Sequence, residues 1–308
     1  MLGPVGRFGS NYLRSKGFII ERPTEIERTF ERSFWKELFS SDIDTFAAVY
    51  AQNRKTLAKV PKWISEETIA CSLWSYGVHD IWHDSQDALN RTGIDDLETE
   101  ITAADVLGFV ARKLSPGVSY LEIGVSVGKN ILQLEHQISN SALVGLDIEE
   151  VNPTLAAQFH EPTDVMKPSL PYWVDTFAGK KAEKRTTFKR MTSERSNIFE
   201  YLSADEFRKS TWQTLKGRKF NLVFSDGVHT GEALRTEFDY LKENDLIARD
   251  RFVMFWDDLN HPEMQAAFVH NCRELCKIFG KDDRAIFLFK LHGSYGAQRP
   301  MGMFSSLS

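Results

Sequence analysis

SYLEIGVSVGKN, residues 119–130, reads as a short apolar run, a turn carrying glycines at 124 and 128, and the start of a helical pattern. Strand, glycine turn and helix in that order form a cradle for a ligand's charged end. A Walker phosphate loop needs four residues between its glycines and then Lys and Ser/Thr. Here three residues separate Gly124 from Gly128, and Asn130 follows Lys129. A dinucleotide fingerprint needs glycine where Ser126 and Lys129 stand. What remains is Glu-x-Gly-x-x-x-Gly, running from Glu122 to Gly128.

The texture to either side agrees with an α/β fold. Short apolar runs recur at 119–125, 141–147, 186–191, 220–226, 251–258 and 284–291. Helical patterns lie between them. Ile131, Leu134 and Ile138 share one face in 127–139, and Leu234, Phe238 and Leu241 share one in 231–243. Strand–helix alternation predicts a doubly wound, mostly parallel sheet, closed by an antiparallel hairpin after the last run. Residues 24–114 read as helical, with Ile26, Phe30, Phe34 and Leu38 on one stripe and Val106, Phe109, Val110 and Leu114 on another. The expected organisation is a helical N-terminal region, 1–115, acting as a lid or a dimer contact, and a catalytic domain, 116–308. The proline-rich stretch 151–185 reads as an insertion in that domain.

The Glu122–Gly128 pattern resembles the first motif of the class I S-adenosylmethionine-dependent methyltransferases, which have a Rossmann-like sheet. The resemblance implies S-adenosylmethionine as cofactor. Gly124, Ser126 and Gly128 would then bring backbone close to its methionine part, with free N–H groups holding the carboxylate. Glu122 would face its amino group. Asp147, ending LVGLD about 25 residues on, would accept both ribose hydroxyls. Thr192 and Ser193, in the MTSER loop after the 186–191 run, would sit near the adenine.

A second signal is FNLVFSDGVHTGEALRTEFDYL, residues 220–241, where an apolar run ends in Asp226 with His229 beside it. Desolvating a carboxylate is costly unless something partners it. FVMFWDD ends the next run in Asp257 and Asp258. Adjacent strand ends would gather three carboxylates, so one must be protonated or a cation must lie between them. Hard oxygen ligands suit Mg²⁺. SDGVHTGEALRTEFDYL with FWDDLNHP resembles the group of macrolide-sugar and aminocoumarin-sugar O-methyltransferases and cephalosporin hydroxylase-like proteins. That resemblance covers residues 119–260. It implies Asp226, Asp257 and Asp258 as Mg²⁺ ligands and His229 as a base or substrate contact, with Asp226 the alternative base. The expected activity is O-methylation of a small-molecule hydroxyl (sugar, phenolic or polyketide-type). The rival readings are a metal-independent enzyme with His229 as base and a cofactor-binding protein without turnover. Capping of the following helices is the structural alternative for all three acids.

The rest of the chain narrows the class. With 38 basic and 43 acidic side chains the net charge is -5, which does not invite nucleic acid. The basic run 179–190 reads as a solvated face. Three cysteines, Cys71, Cys272 and Cys276, exclude a disulfide scaffold and fit a reducing, cytoplasmic setting. His79 and His83 stand four apart without an evident third zinc ligand, so they read as ordinary packing or an acceptor-pocket wall. No apolar run approaches the ~20 residues of a membrane helix.

Overall fold

The computed structural model describes residues 34–58, 101–126, 128–148, 184–191, 196–292 and 298–307. The N-terminal run at 1–33, His79 and His83, Cys71, the 151–185 insertion apart from its last two residues, and Thr192 and Ser193 lie outside the described residues.

Among the described residues, eight strands form one sheet. They are β1 Ser119–Ile123, β2 Ala142–Asp147, β3 Lys184–Met191, β4 Ser196–Ser203, β5 Leu222–Ser225, β6 Val253–Trp256, β7 Ile286–His292 and β8 Gln298–Ser305, in the spatial order β3-β4-β2-β1-β5-β6-β8-β7. The five central strands β4, β2, β1, β5 and β6 are parallel. The helices are α1 Phe34–Leu57, α2 Ala103–Leu114, α3 Lys129–Glu135, α4 Lys209–Gln213, α5 Gly231–Glu243 and α6 Pro262–Phe279. This is the doubly wound, mostly parallel, Rossmann-like sheet expected from the sequence, with its terminal antiparallel hairpin β7–β8.

Two strand assignments change. The 186–191 run is an edge strand antiparallel to β4. The parallel strand beside β2 is β4, SNIFEYLS, which the apolar-run criterion passes over because Asn197, Glu200 and Ser203 interrupt it. Asn197 is buried, donating to the carbonyls of Glu135 and Ile138 and accepting from Ser141 N.

Alternation along each strand sends side chains to two cores. Tyr120, Leu143, Phe224 and Phe255 join Phe46, Val49, Val106, Phe109 and Ile131 on one face, under α1, α2 and α3. Leu121, Val144, Val223 and Trp256 join Leu234, Phe238, Phe268 and Cys272 on the other, under α4, α5 and α6. The expected apolar stripes of α2, α3 and α5 are all buried. So are Cys272 and Cys276, which are free thiols. α1 and α2 are therefore part of the layer covering the sheet. α1 breaks at Asp42, whose carboxylate accepts from Thr45 N at 3.3 Å. Among the described residues no helix is long and apolar enough to cross a membrane.

Candidate active site

The carboxyl ends of β1, β2, β5 and β6 are brought level by ladder bonds that continue past the strands. Gly124 N donates to Leu146 O, Asp226 N to Ile123 O and Asp257 N to Ser225 O. In an open parallel sheet this edge is where ligands sit.

Gly124 has φ +81, and a Cβ there would stand 2.1 Å from the carbonyl oxygen of Asp226. Two independent constraints thus demand glycine: the left-handed backbone and the close crossing of the β5 end. Gly128, at φ 73, precedes α3, and Ser126 holds φ 50 without being glycine. Glu122 is buried at 1% exposure. Its Oε1 accepts from Asn130 Nδ2 at 3.0 Å, while Oε2 is buried with no hydrogen bond among the described residues. The Tyr120 hydroxyl sits beside it without bonding geometry. Burial above all, then Asp226 and Asp147, push the Glu122 carboxyl well above the usual range, against the pull of Asn130 and Tyr120. A cationic group would satisfy that orphaned oxygen.

Asp147 ends β2 as expected, and its Oδ2 accepts from Val125 N and Ser126 N, each at 2.8 Å. Two of the turn N–H groups that the sequence reading reserves for a ligand carboxylate are therefore occupied by the chain's own acid. The loop beside Asp147 at this edge follows β4 and comprises Ala204, Asp205 and Glu206. Exposed apolar side chains stand in three of these loops: Ile148 after β2, Phe207 after β4 and Val228 after β5. They offer faces to a flat ring.

Asp226, His229 and Asp258 come together as a chain of charge. His229 Nε2 is 3.2 Å from Asp226 Oδ1, and its Nδ1 is 3.4 Å from Asp258 Oδ2. Arg299 from β8 then lies 3.6 Å (Nε) from Asp258 Oδ1 and 3.9 Å (Nη1) from Asp257 Oδ2. Burial raises the Asp226 carboxyl against the pull of His229 and Arg299, and burial with Asp226 and Asp258 raises Asp257 well above the ordinary range. The imidazole responds in kind. The Asp226 contact raises His229 most, partial burial opposes it, and Asp258 and Asp257 add to the rise.

Helix capping does not account for these acids. Thr230 caps α5 through Ala233 N, and α6 begins after His261. Nor does the arrangement fit the expected Mg²⁺ site. Among the described residues no group of three His, Cys, Asp or Glu side chains is placed to hold a metal ion. Each of the three carboxylates already faces a basic side chain, His229 or Arg299. The unbonded Glu122 oxygen does fit the cationic end of S-adenosylmethionine.

A second acid pair lies behind the Asp226 turn. Glu237 of α5 is fully buried, with Oε2 accepting from Ser225 Oγ at 2.6 Å and Oε1 unbonded among the described residues. The Oε1 atoms of Glu237 and Glu206 lie 3.2 and 3.8 Å from where a Cβ on Gly227 would stand. Burial, then Glu206 and Asp226, raise Glu237 to about 8, with Ser225 and His229 opposing, so it is protonated at neutral pH. Sequence reasoning missed Glu206, Glu237 and Arg299. Only Glu237 left a trace, as a charge inside the apolar stripe of 231–243.

The chain matches no family model and no curated protein. Among solved structures it is similar to an O-methyltransferase from Bacillus cereus in complex with SAH, at 12% identity and TM-score 0.41, over 80% of this chain and 99% of that one. It is similar to a putative O-methyltransferase from Klebsiella pneumoniae at 10% identity and TM-score 0.38, over 91% and 99%. The SAH-bound Podospora anserina methyltransferase PaMTH1 follows at 15% and TM-score 0.37, over 79% and 88%. At such scores none of these likenesses bears on the chemistry of this chain.

Proposed function

We propose that the protein is an S-adenosylmethionine-dependent O-methyltransferase acting on a hydroxyl of a small molecule. The observation that carries the reading is the meeting, on one sheet edge, of an orphaned buried carboxylate oxygen beside a glycine turn with the Asp226–His229 pair. Glu122 Oε2 would take the ammonium of the cofactor. Ile148, Phe207 and Val228 would cover its base, and Asp147 would meet the ribose from the end of β2. When bound, the cofactor supplies an electrophilic sulfonium methyl.

The chain's own work is alignment and proton removal. Holding an oxygen in line with a reacting carbon removes several kcal/mol from the barrier, about 7–11 in well-oriented cases. The Asp226 contact makes His229 hold a proton more tightly than a free imidazole, which leaves Asp226 as the group we assign to receive the hydroxyl proton. His229 then stabilises the pair as charge shifts. Magnesium assistance is the less favoured form of the reading, because the acids already face the basic side chains His229 and Arg299.

The test is a calorimetric titration of S-adenosylhomocysteine into the wild type and into Glu122→Gln, followed by a labelled-methyl assay over hydroxyl acceptors with and without EDTA. The expected outcome is micromolar binding, a loss of about 10-fold or more in the variant because a charge-assisted bond is removed, and transfer that EDTA does not reduce. A wild type that takes up no ligand sinks the cofactor reading. Transfer abolished by EDTA restores the metal.

A further inference from the structure

We propose that Arg299 is a positioning residue for the Asp226–His229 pair, acting through Asp258. The proposal rests on the reading of Asp226 and His229 as the proton-handling groups, and it adds a residue 70 positions away that neither the sequence pattern nor the parallel strands supply.

Asp258 is the link. Its backbone is in the left-handed region, φ 51, which aspartate adopts more readily than most residues with a Cβ. That conformation places Oδ2 at 3.4 Å from His229 Nδ1 and Oδ1 at 3.6 Å from Arg299 Nε. Oδ1 is buried and makes no hydrogen bond among the described residues, so the nearby guanidinium compensates its charge at a distance slightly longer than a direct bond.

Arg299 is itself delivered by a rigid support. It belongs to β8, antiparallel to β6, with Trp256 opposite Gly302. Leu259 N donates to Pro300 O at 2.9 Å, tying the loop after β6 to the residue next to Arg299. A Cβ on Gly302 would stand 2.4 Å from Phe268 Cε2 and 2.7 Å from Leu259 Cδ1, so strand and loop are packed without slack. The order Arg299–Asp258–His229–Asp226 therefore alternates basic and acidic side chains across the ends of β8, β6 and β5. Without Arg299, Asp258 keeps a buried uncompensated oxygen. His229, 40% exposed at its side chain, then keeps one carboxylate contact of two.

A merely structural Arg299 would stitch the hairpin to the sheet and leave the imidazole alone. Four readouts on the full chain separate the roles: thermal melting, S-adenosylhomocysteine affinity, the ¹⁵N ring signals of His229, and the kcat and KM of methyl transfer. For Arg299→Met the expected result is an intact fold and cofactor affinity within about 2-fold. The His229 ring signals should shift, and kcat should fall about 10- to 100-fold with little change in acceptor KM. Arg299→Lys should restore part of kcat and the ring signature. Asp258→Asn should reproduce the ring shift, and the double variant should be no worse than the singles, as two links of one chain require. Unchanged His229 signals in Arg299→Met, or a kcat loss that tracks lost cofactor binding and is not rescued by Lys, overturn the proposal. Should Arg299→Met not fold, Arg299→Lys and Asp258→Asn carry the ring measurement. If the wild type methylates nothing, the activity reading fails, while the ring signature still decides the role of Arg299.

Discussion

Glu237 shows how a single side chain couples this site to pH. A fully buried carboxyl with one oxygen on Ser225 and the other unbonded keeps its proton to about pH 8. The unfolded chain gives up the same proton near pH 4.3. Between those values the native state binds the extra proton, so stability falls as pH rises. The contribution is fully present below about 4.3 and is lost as pH passes through the folded value. Glu237→Gln keeps the shape and an acceptor for Ser225 but has nothing to ionise. We expect it to raise unfolding free energy at pH 7 by a few kcal/mol and to flatten the profile between pH 5 and 8. Urea denaturation across that range checks it, and an unchanged slope would contradict a buried protonated acid. Gly124 makes the complementary point: its sequence position was readable, but the second reason for it, the carbonyl of Asp226 2.1 Å from a Cβ, needs both strand ends in place.

Among the elements, α1 and α2 carry the least expected feature. They are held to each other by a buried polar network rather than by apolar stripes alone. Arg54 Nη2 and Asn53 Nδ2 donate to the two oxygens of Asp105 at 2.9 and 2.8 Å, and Thr102 N and Oγ1 donate to Oδ2. Gln137, just past α3, extends the network by donating to Asn53 Oδ1 and Val49 O. Arg54 also lies over the Tyr50 ring at 4.1 Å. Removing one partner strands a buried charge. Asp105→Ala should therefore cost about 3–5 kcal/mol in urea unfolding. A cost near that of a simple helix cap, about 1 kcal/mol, would mean that water reaches Arg54. The network also explains why the boundary at 115, drawn from the change in texture, is not a boundary in packing. Phe46, Val49 and Val106 share one core with Tyr120 and Phe224. Periodicity reads which face is apolar, but not which sheet it will meet.

For the molecule as a whole, the strand order predicts a gradient of protection. Amides of Val223, Phe224 and Met254 lie in central strands between two cores and should exchange only on global unfolding. Those of β3 and β7, at the two edges, should exchange sooner. Native-state hydrogen exchange measures this directly, and slow exchange confined to the edges would refute the order. The sequence was enough for the alternation of strands and helices, the glycine turn with Glu122 and Asp147, and the acids ending two apolar runs. Each of these is written in local composition and spacing. It was not enough for β4, whose polar residues are satisfied by partners far along the chain, nor for β3, whose direction depends on which neighbour it pairs. It could not reveal that Asp147 bonds the turn N–H groups, or that Glu206 and Glu237 meet behind Gly227. Arg299, 41 residues beyond Asp258 and on an antiparallel strand, was equally hidden. Charge neutralisation depends on distances of a few ångströms between segments far apart in sequence. Only the folded sheet determines whether three carboxylates wait for a metal ion or are matched by the protein's own cations.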